Sequence, residues 1–308
     1  MRRPGHAGVL VVDKAAGVTS FDVVAAVRRE LGVRRVGHGG TLDPDATGVL
    51  PVLIGEATKL MPYLVDQDKE YVATVRFGIT TDTHDMSGRV LAEAPVPELT
   101  PAGLAAACRP FVGRITQVPP MYSAVHHDGR RLYELARAGV AVERAPREVV
   151  VRSITLEEVA PPRATLRVVC GKGTYLRVLA ADLGAALGSG AAIERLVRSR
   201  VGPFDLEGAL PWAEVAGAGP TLWAHVRAPQ AALAAWPRVD LDRRAALTFV
   251  HGQPVDVAPA APAGGGLVRV HDEAGAMIGV GELTAGGGKV RPVRILHADD
   301  PGTRVLPA

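Results

Sequence analysis

From residue 71 to 77 apolar and polar positions alternate. Tyr71, Ala73, Val75 and Phe77 share one face and Val72, Thr74 and Arg76 the other, the period of a half-buried strand. Residues 8–12 form a continuous apolar run that reads as a buried strand. A helix is predicted next, with Ser20 as its N-cap, Asp22 complementing the first turn, Val23, Val24, Val27 and Leu31 at helical spacing, and Gly32 as its stop. Thr100 and Pro101 cap a short Ala-rich helix, and residues 118–146 form a long irregular segment. Residues 148–156 and 163–170 read as strands, Thr174 as the N-cap of a helix through Leu176, Leu179, Ala180, Leu183 and Leu187, and 195–204 as a basic strand. Residues 78–88 and 216–220 are expected to be loops, and 258–266 a flexible segment. Beyond Trp236-Pro237, a short helix near Arg243 and short strands around Val268, Ile278 and Val293, separated by glycines, imply a small β-rich module.

The length of 308 residues suggests about two domains, and a hydrophobic share of 47% is ample for their cores. A formal charge of +3 is too small to announce a nucleic-acid binder, so any such footprint must come from local clusters. Arg28, Arg29, Arg34 and Arg35 form one such cluster. Cys108 and Cys170 are too few and too far apart for a disulfide framework or a metal knuckle, which fits a reducing cytoplasm. Arg2 and Arg3 imitate a signal sequence, but Asp13 and Lys14 cut the apolar run behind them, and no run reaches the ~18 residues of a membrane span.

The chemistry concentrates in residues 37–48, Gly-His-Gly-Gly-Thr-Leu-Asp-Pro-Asp-Ala-Thr-Gly. Glycines 37, 39 and 40 surround His38 and allow positive φ or close approach to a ligand. Pro44 biases Asp43 towards an extended conformation at the start of a short turn. Asp before Pro is also a common N-cap, and on these grounds Asp43 and Asp45 are equal candidates for a working carboxylate. Arg177 falls in the first turn of its helix, where the dipole disfavours a cation, so it requires a carboxylate partner or an anionic ligand. Asp82, His84 and Asp85 lack the further ligands of a metal site, and 171–174 is not a P-loop, since the glycine five residues before Gly171-Lys172 is missing. No metal and no cofactor are expected.

The run Gly-His-x-Gly-x-Leu-Asp-Pro-x-Ala-x-Gly-x-Leu, followed by Gly55-Glu56-Ala57-Thr58-Lys59, closely resembles the catalytic motif of the bacterial tRNA pseudouridine-55 synthases, the TruB family. The resemblance continues through Asp68-Lys69-Glu70-Tyr71, Thr81-Asp82-Thr83-His84-Asp85, Val118-Pro119-Pro120-Met121-Tyr122-Ser123-Ala124 and Gly171-Lys172-Gly173-Thr174-Tyr175-Leu176-Arg177. It implies an α/β (α+β) pseudouridine-synthase fold, a central mostly antiparallel mixed sheet flanked by helices, over residues 1–235. A PUA-like RNA-binding domain would occupy 236–308, with Lys289, Arg291 and Arg294 as phosphate contacts. It further implies Asp43 as nucleophile, Arg177 as its partner, Tyr71 as the aromatic stacked on the target base, Asp85 behind them, Leu196 beside the base and His38 filling the space the base vacates. Lys14, Lys59, Tyr122, Arg130, Arg131 and Lys172 are carried over as RNA contacts, several within a clamping insertion at about 118–147. Basic and aromatic residues interleaved there suit stacking and phosphate contact. The family pattern is broken at Ala15, where a proline is usual, and at His126, where a lysine is common.

The activity implied is isomerisation of uridine 55 in the tRNA T-loop, with the base flipped out, by a cytoplasmic monomer that needs no cofactor, membrane or obligate protein partner. Attack on uracil C6, attack on ribose C1′ and elimination from the ribose all fit these groups. Two rivals make different demands. A tRNA-folding chaperone would keep its function without Asp43, and a glycoside hydrolase needs a facing carboxylate about 5 to 10 Å away.

Overall fold

The computed structural model describes residues 7–123, 125–257, 265–284, 286 and 288–297. Among them a ten-stranded sheet follows the path Leu210–Pro211, Gly8–Lys14, Thr47–Ile54, Ala191–Val201, Lys69–Phe77, Arg163–Cys170, Arg147–Ala160, Gly113–Gln117. Val36–His38 adds to Thr47–Ile54 and Phe204–Asp205 to Ala191–Val201. Within this sheet, among the described residues, only two pairings, Gly8–Lys14 with Leu210–Pro211 and Ala191–Val201 with Thr47–Ile54, are parallel. The sheet is mixed and mostly antiparallel, as the resemblance implies.

Alternation decides which side of this sheet carries function. In Lys69–Phe77 every odd residue is buried, so Tyr71, Ala73, Val75 and Phe77 face one core with Leu176, Leu179, Ala180 and Leu183 of the helix Leu176–Ala186. The same core takes Val23, Val24, Val27 and Leu31 of the helix Ser20–Leu31. Each such buried Val or Leu contributes roughly 1.5–3 kcal/mol of transfer free energy. Gly8–Lys14 is buried on both faces: Leu10 and Val12 join this core, Val9 and Val11 a second one on the opposite side.

A second sheet runs Arg238–Asp240, Gly266–His271, Met277–Leu283, Lys289–Ile295, Val255–Asp256, with the helix Arg243–Val250 closing its core around Phe249. It is docked on the first. Met277, Val280 and Leu296 enter the core that holds Val11, Leu53, Leu60 and Leu64, and Tyr63 meets Trp236 edge to face at 5.3 Å.

Several local expectations need correction. Thr19, not Ser20, caps the first helix, closing a capping box with Asp22, because Ser20 is drawn inward to Leu42. Thr174 donates to the carbonyl of Gly171 and leaves Tyr175 as an N-cap without a side-chain bond. Residues 78–88 are not all loop, since Ile79–Thr81 pairs with Val90–Glu93. The segment expected to be flexible, 258–266, falls largely outside the described residues.

Candidate active site

Residues 39–46 connect Val36–His38 to Thr47–Ile54, so they leave the end of the sheet next to the first residues of two helices. Asp43 opens a tight turn in which its carbonyl accepts from Ala46 N–H at 3.1 Å, with Pro44 fixing φ at the second position. Two buried cations hold this turn from beneath. Lys14, fully buried, donates from Nζ to the carbonyls of Ala15 (2.9 Å), Val18 (2.7 Å) and Pro44 (2.8 Å). Arg198, 1% exposed, donates to the carbonyls of Val49 (2.8 Å), Thr41 (3.2 Å) and Gly40 (3.0 Å). Ser20 completes the frame, its hydroxyl donating to Leu42 O at 3.2 Å and accepting from Leu42 N–H at 2.9 Å.

Of the three glycines around His38, only Gly40 has positive φ; side chains at 37 and 39 would run into Met61 and Leu64. Gly48, at φ 105°, closes the loop where any Cβ would clash with the carbonyl of Arg198.

The Asp43 carboxylate, 41% exposed, meets the buried guanidinium of Arg177 side-on, with Nε at 2.8 Å from Oδ2 and a terminal nitrogen at 3.2 Å from Oδ1. The remaining donors of Arg177 go to the carbonyls of Thr83 and Tyr122, each at 2.8 Å. Asp85 Oδ2 lies 3.6 Å from Arg177 Nε, while its Oδ1 accepts from the hydroxyls of Thr83 and Ser87, both at 2.6 Å. One arginine therefore ties together the Asp43 loop, the 83–85 turn and the 118–147 segment.

Tyr71 is 9% exposed at the start of the central strand, directly across the ladder from Arg198. Burial pushes its phenol pKa up, the Arg198 charge and hydrogen bond pull the other way, and the net direction is up, so the hydroxyl stays protonated at neutral pH. His38 is half-buried, and its Nδ1 accepts from Gly40 N–H at 3.3 Å. Burial, then the charges of Arg198 and Arg131, lower its pKa, leaving a neutral imidazole. Leu196, 9% exposed, sits opposite Ala73 one residue beyond the register shift in the same ladder.

The remaining basic candidates divide. Tyr122 reaches the site through its carbonyl, and the short hairpin of His126–His127 with Arg130–Arg131 leads from it into the helix Leu132–Arg137, with Arg144 donating back to Pro119 O at 3.0 Å. Lys172 is largely exposed and pairs with Asp66 at 2.7 Å, a surface pair of small energetic weight. Lys14 and Lys59 require correction as RNA contacts. Lys14 has no exposed surface to offer a phosphate. Lys59 is spent on Glu56 (2.5 Å) and on Ile295 O (3.0 Å) of the second sheet, where Glu56 also accepts from Arg35 (2.8 Å) and His297 N–H (2.8 Å). Both lysines are fasteners.

Among the described residues no group of three or more His, Cys, Asp or Glu side chains could hold a metal ion, and no helix is long and apolar enough to cross a membrane.

A frame of buried cations around an Asp-Pro turn, with an arginine clasping the aspartate beside a buried tyrosine, can be compared with known proteins. Residues 28–176 match the model of the TruB family pseudouridylate synthase N-terminal domain, and 237–296 that of the pseudouridine synthase II TruB C-terminal domain. The tRNA pseudouridine synthase B of Ralstonia nicotianae is 46% identical over 304 residues, 96% of each chain. That of Symbiobacterium thermophilum is 50% identical over 256 residues, 82% of this chain and 83% of the relative. The chain belongs to the TruB family. Among solved structures, a chain of a crystallised Cbf5-Nop10-Gar1 complex superposes with a TM-score of 0.71 at 26% identity, over 94% of this chain and 85% of that one.

Within this TruB-family chain the residue most completely missed by sequence reasoning is Arg198. It lies in a run with Arg195 and Arg200 that reads as a basic strand, yet the burial pattern turns Arg198 inward under the Asp43 loop. Its position two residues from Leu196, on the same face of the strand, was the available signal. Ser20 was misread for a simpler reason: Thr19 and Asp22 already have capping-box spacing, which frees Ser20 for the loop.

Proposed function

We propose that this chain isomerises uridine 55 in the T-loop at the tRNA elbow, with Asp43 as nucleophile, Arg177 as its charged partner and Tyr71 as the aromatic wall against the displaced base. As a TruB-family tRNA pseudouridine synthase, it converts uridine to pseudouridine in tRNA. The reaction breaks an N-glycosidic bond, turns the freed uracil and makes a C–C bond, so it exchanges neither electrons nor groups with a cofactor. It does need a fixed carboxylate, a cation that orients it and an apolar face for the base. The observation that carries the residue roles is the two-point grip of buried Arg177 on Asp43, on a loop fastened by Lys14, Arg198 and Ser20.

The target base leaves its stack at a cost of a few kcal/mol, which contacts elsewhere must offset. Half-buried His38 fills the vacated space as a neutral imidazole, and Leu196 packs beside the base. Residues 118–147, with Tyr122, Arg130 and Arg131, clamp the RNA loop, and Lys172 serves the rim. In the division 1–235 and 236–308 the smaller part binds RNA backbone through Lys289, Arg291 and Arg294; Lys289 already pairs loosely with Asp256 at 3.3 Å. The protein works as a cytoplasmic monomer.

A chaperone that only grips tRNA has no use for so constrained a carboxylate. In a glycosidase the second carboxylate would be free to act, whereas Asp85 is engaged by Thr83, Ser87 and Arg177. The test is incubation of the purified protein with an unmodified tRNA transcript, followed by carbodiimide mapping of pseudouridine. A single adduct at position 55 is the expected result, and its absence overturns the assignment.

A further inference from the structure

Phe21 is 67% exposed, the highest value among the large apolar residues that reach the surface. Among the described residues it is also the sole exposed Phe, Tyr or Trp. A solitary apolar residue on a surface helix is ordinary and carries no weight by itself. Its position does. Phe21 follows Ser20, which is 3% exposed and exchanges two hydrogen bonds with Leu42, the residue before Asp43. On its other side Asp22 closes the capping box with Thr19, in which the Thr19 hydroxyl donates to the carboxylate at 2.6 Å. The backbone that carries the ring is therefore locked to the nucleophile loop at one residue's remove from Asp43.

The neighbouring stretches, joined by the Gly17 N–H to Pro44 O bond at 3.0 Å, expose short side chains at Ala15, Ala16, Thr19, Thr41 and Pro44 beside the carboxylates of Asp22 and Asp45. An RNA segment that presents a uridine to Asp43 must pass over these stretches, and the nucleotides flanking a flipped base have lost a stacking neighbour. Such bases are taken up by aromatic faces held on fixed backbone. The ring of Phe21 is a face of this kind, and nothing in the fold buries it.

We propose that Phe21 is a stacking platform for a nucleobase of the substrate RNA next to the uridine bound at Asp43. This rests on the reading of the Asp43 loop as the uridine-converting site. The role is one of binding, with no part in the chemical step, so its signature is a change in affinity and KM at constant kcat.

The experiment compares the wild type with Phe21→Ala, Phe21→Trp and Leu91→Ala, the last a control at a similarly exposed apolar residue (55%). Direct titration with an unmodified tRNA transcript and steady-state conversion of it are both measured. Phe21→Ala is expected to weaken binding and raise KM about tenfold, with kcat within about twofold, as for the loss of one base–aromatic stack. Phe21→Trp restores both, and its added indole fluorescence, taken as the difference from wild type, is quenched by the RNA. Equal binding by wild type and Phe21→Ala overturns the proposal, as does an equal loss in Leu91→Ala. A transcript that is bound, and bound more weakly by Phe21→Ala, but never converted overturns the isomerase reading and leaves the stacking platform standing.

Discussion

The guanidinium of Arg198 donates to the carbonyl of Gly40 at 3.0 Å, across 158 residues of sequence, and through the same group to Thr41 and Val49. The central strand pair and the Asp43 loop are thereby one mechanical unit, since Arg198 also faces Tyr71 across the ladder. Arg198→Met keeps the stem and removes every donor. Three carbonyls lose their partner, each at about 1–3 kcal/mol if it stays buried and unsatisfied. The expected outcome is a clear fall in melting temperature and a loss of turnover of at least about tenfold, with RNA affinity changed far less. Parallel measurement of Tm, kcat and Kd checks it; a variant that melts earlier but turns over normally would show that Arg198 supports only the fold.

What the sequence made legible follows physical locality. The strand at Lys69–Phe77 could be read because at that strand only one face of the sheet is buried, which forces alternation. The loop 37–48 could be singled out because turns need glycine and proline at fixed places, while the choice of Asp43 over Asp45 came from the family resemblance alone. Arg198, Lys14 and Lys59 could not, because a buried cation looks like a surface one until its carbonyl partners, distant in sequence, are known. Docking of the second sheet through Met277, Val280 and Leu296 was hidden for the same reason: apolar residues announce burial but not against what.

The Lys14 ammonium gives a pH dependence whose sign can be worked out. Burial lowers its pKa from 10.5 to about 8, partly offset by Asp45 and Asp43. Below pH about 8 the folded and unfolded chains both carry the proton. Between about 8 and 10.5 the unfolded chain binds more, so this residue's contribution to stability rises with pH across that window. Function runs the other way. A neutral amine has two hydrogens for three carbonyls, and releasing Pro44 loosens the turn behind Asp43. Turnover is expected to fall above pH about 8, with the limb displaced upward in Lys14→Arg. Lys69, also lowered to about 8 by burial, is the control: Lys69→Arg should leave the limb where it was, and a limb that follows Lys69 instead removes the role given to Lys14.

Glu56 joins the two sheets. Its carboxylate, 2% exposed, accepts from Arg35, Lys59 and the amide of His297, and Lys59 reaches on to Ile295. Glu56→Ala removes the buried acceptor that Arg35, Lys59 and the His297 amide share, a loss on the order of 3 kcal/mol. The expected readout is early hydrogen exchange in 266–297, with the exchange of 69–77 unaltered. Loss of protection in both segments together would mean that the second sheet is no separate cooperative unit.

Asp43→Asn keeps the shape of the side chain and removes its charge and the oxygen proposed as nucleophile. Arg177 retains the carbonyls of Thr83 and Tyr122 and gains on Asp85 as its nearest carboxylate, so the fold is expected to survive with little change in Tm. Turnover of an unmodified tRNA transcript is expected to vanish, because the carboxylate oxygen proposed to attack is gone and an amide does not replace it. Affinity is expected to persist within about threefold, since backbone contacts and stacking outside the pocket supply most of it. Asp45→Asn is the matched control, the same charge change two residues on, at an exposed position of the same turn. It removes one of the three carboxylates, Asp45, Asp43 and Asp22, that favour a charged Lys14, so its effect is confined to a small downward shift of the alkaline limb. A dead Asp45→Asn beside an active Asp43→Asn would transfer the nucleophile to Asp45 and reduce the Arg177 grip on Asp43 to a fold contact.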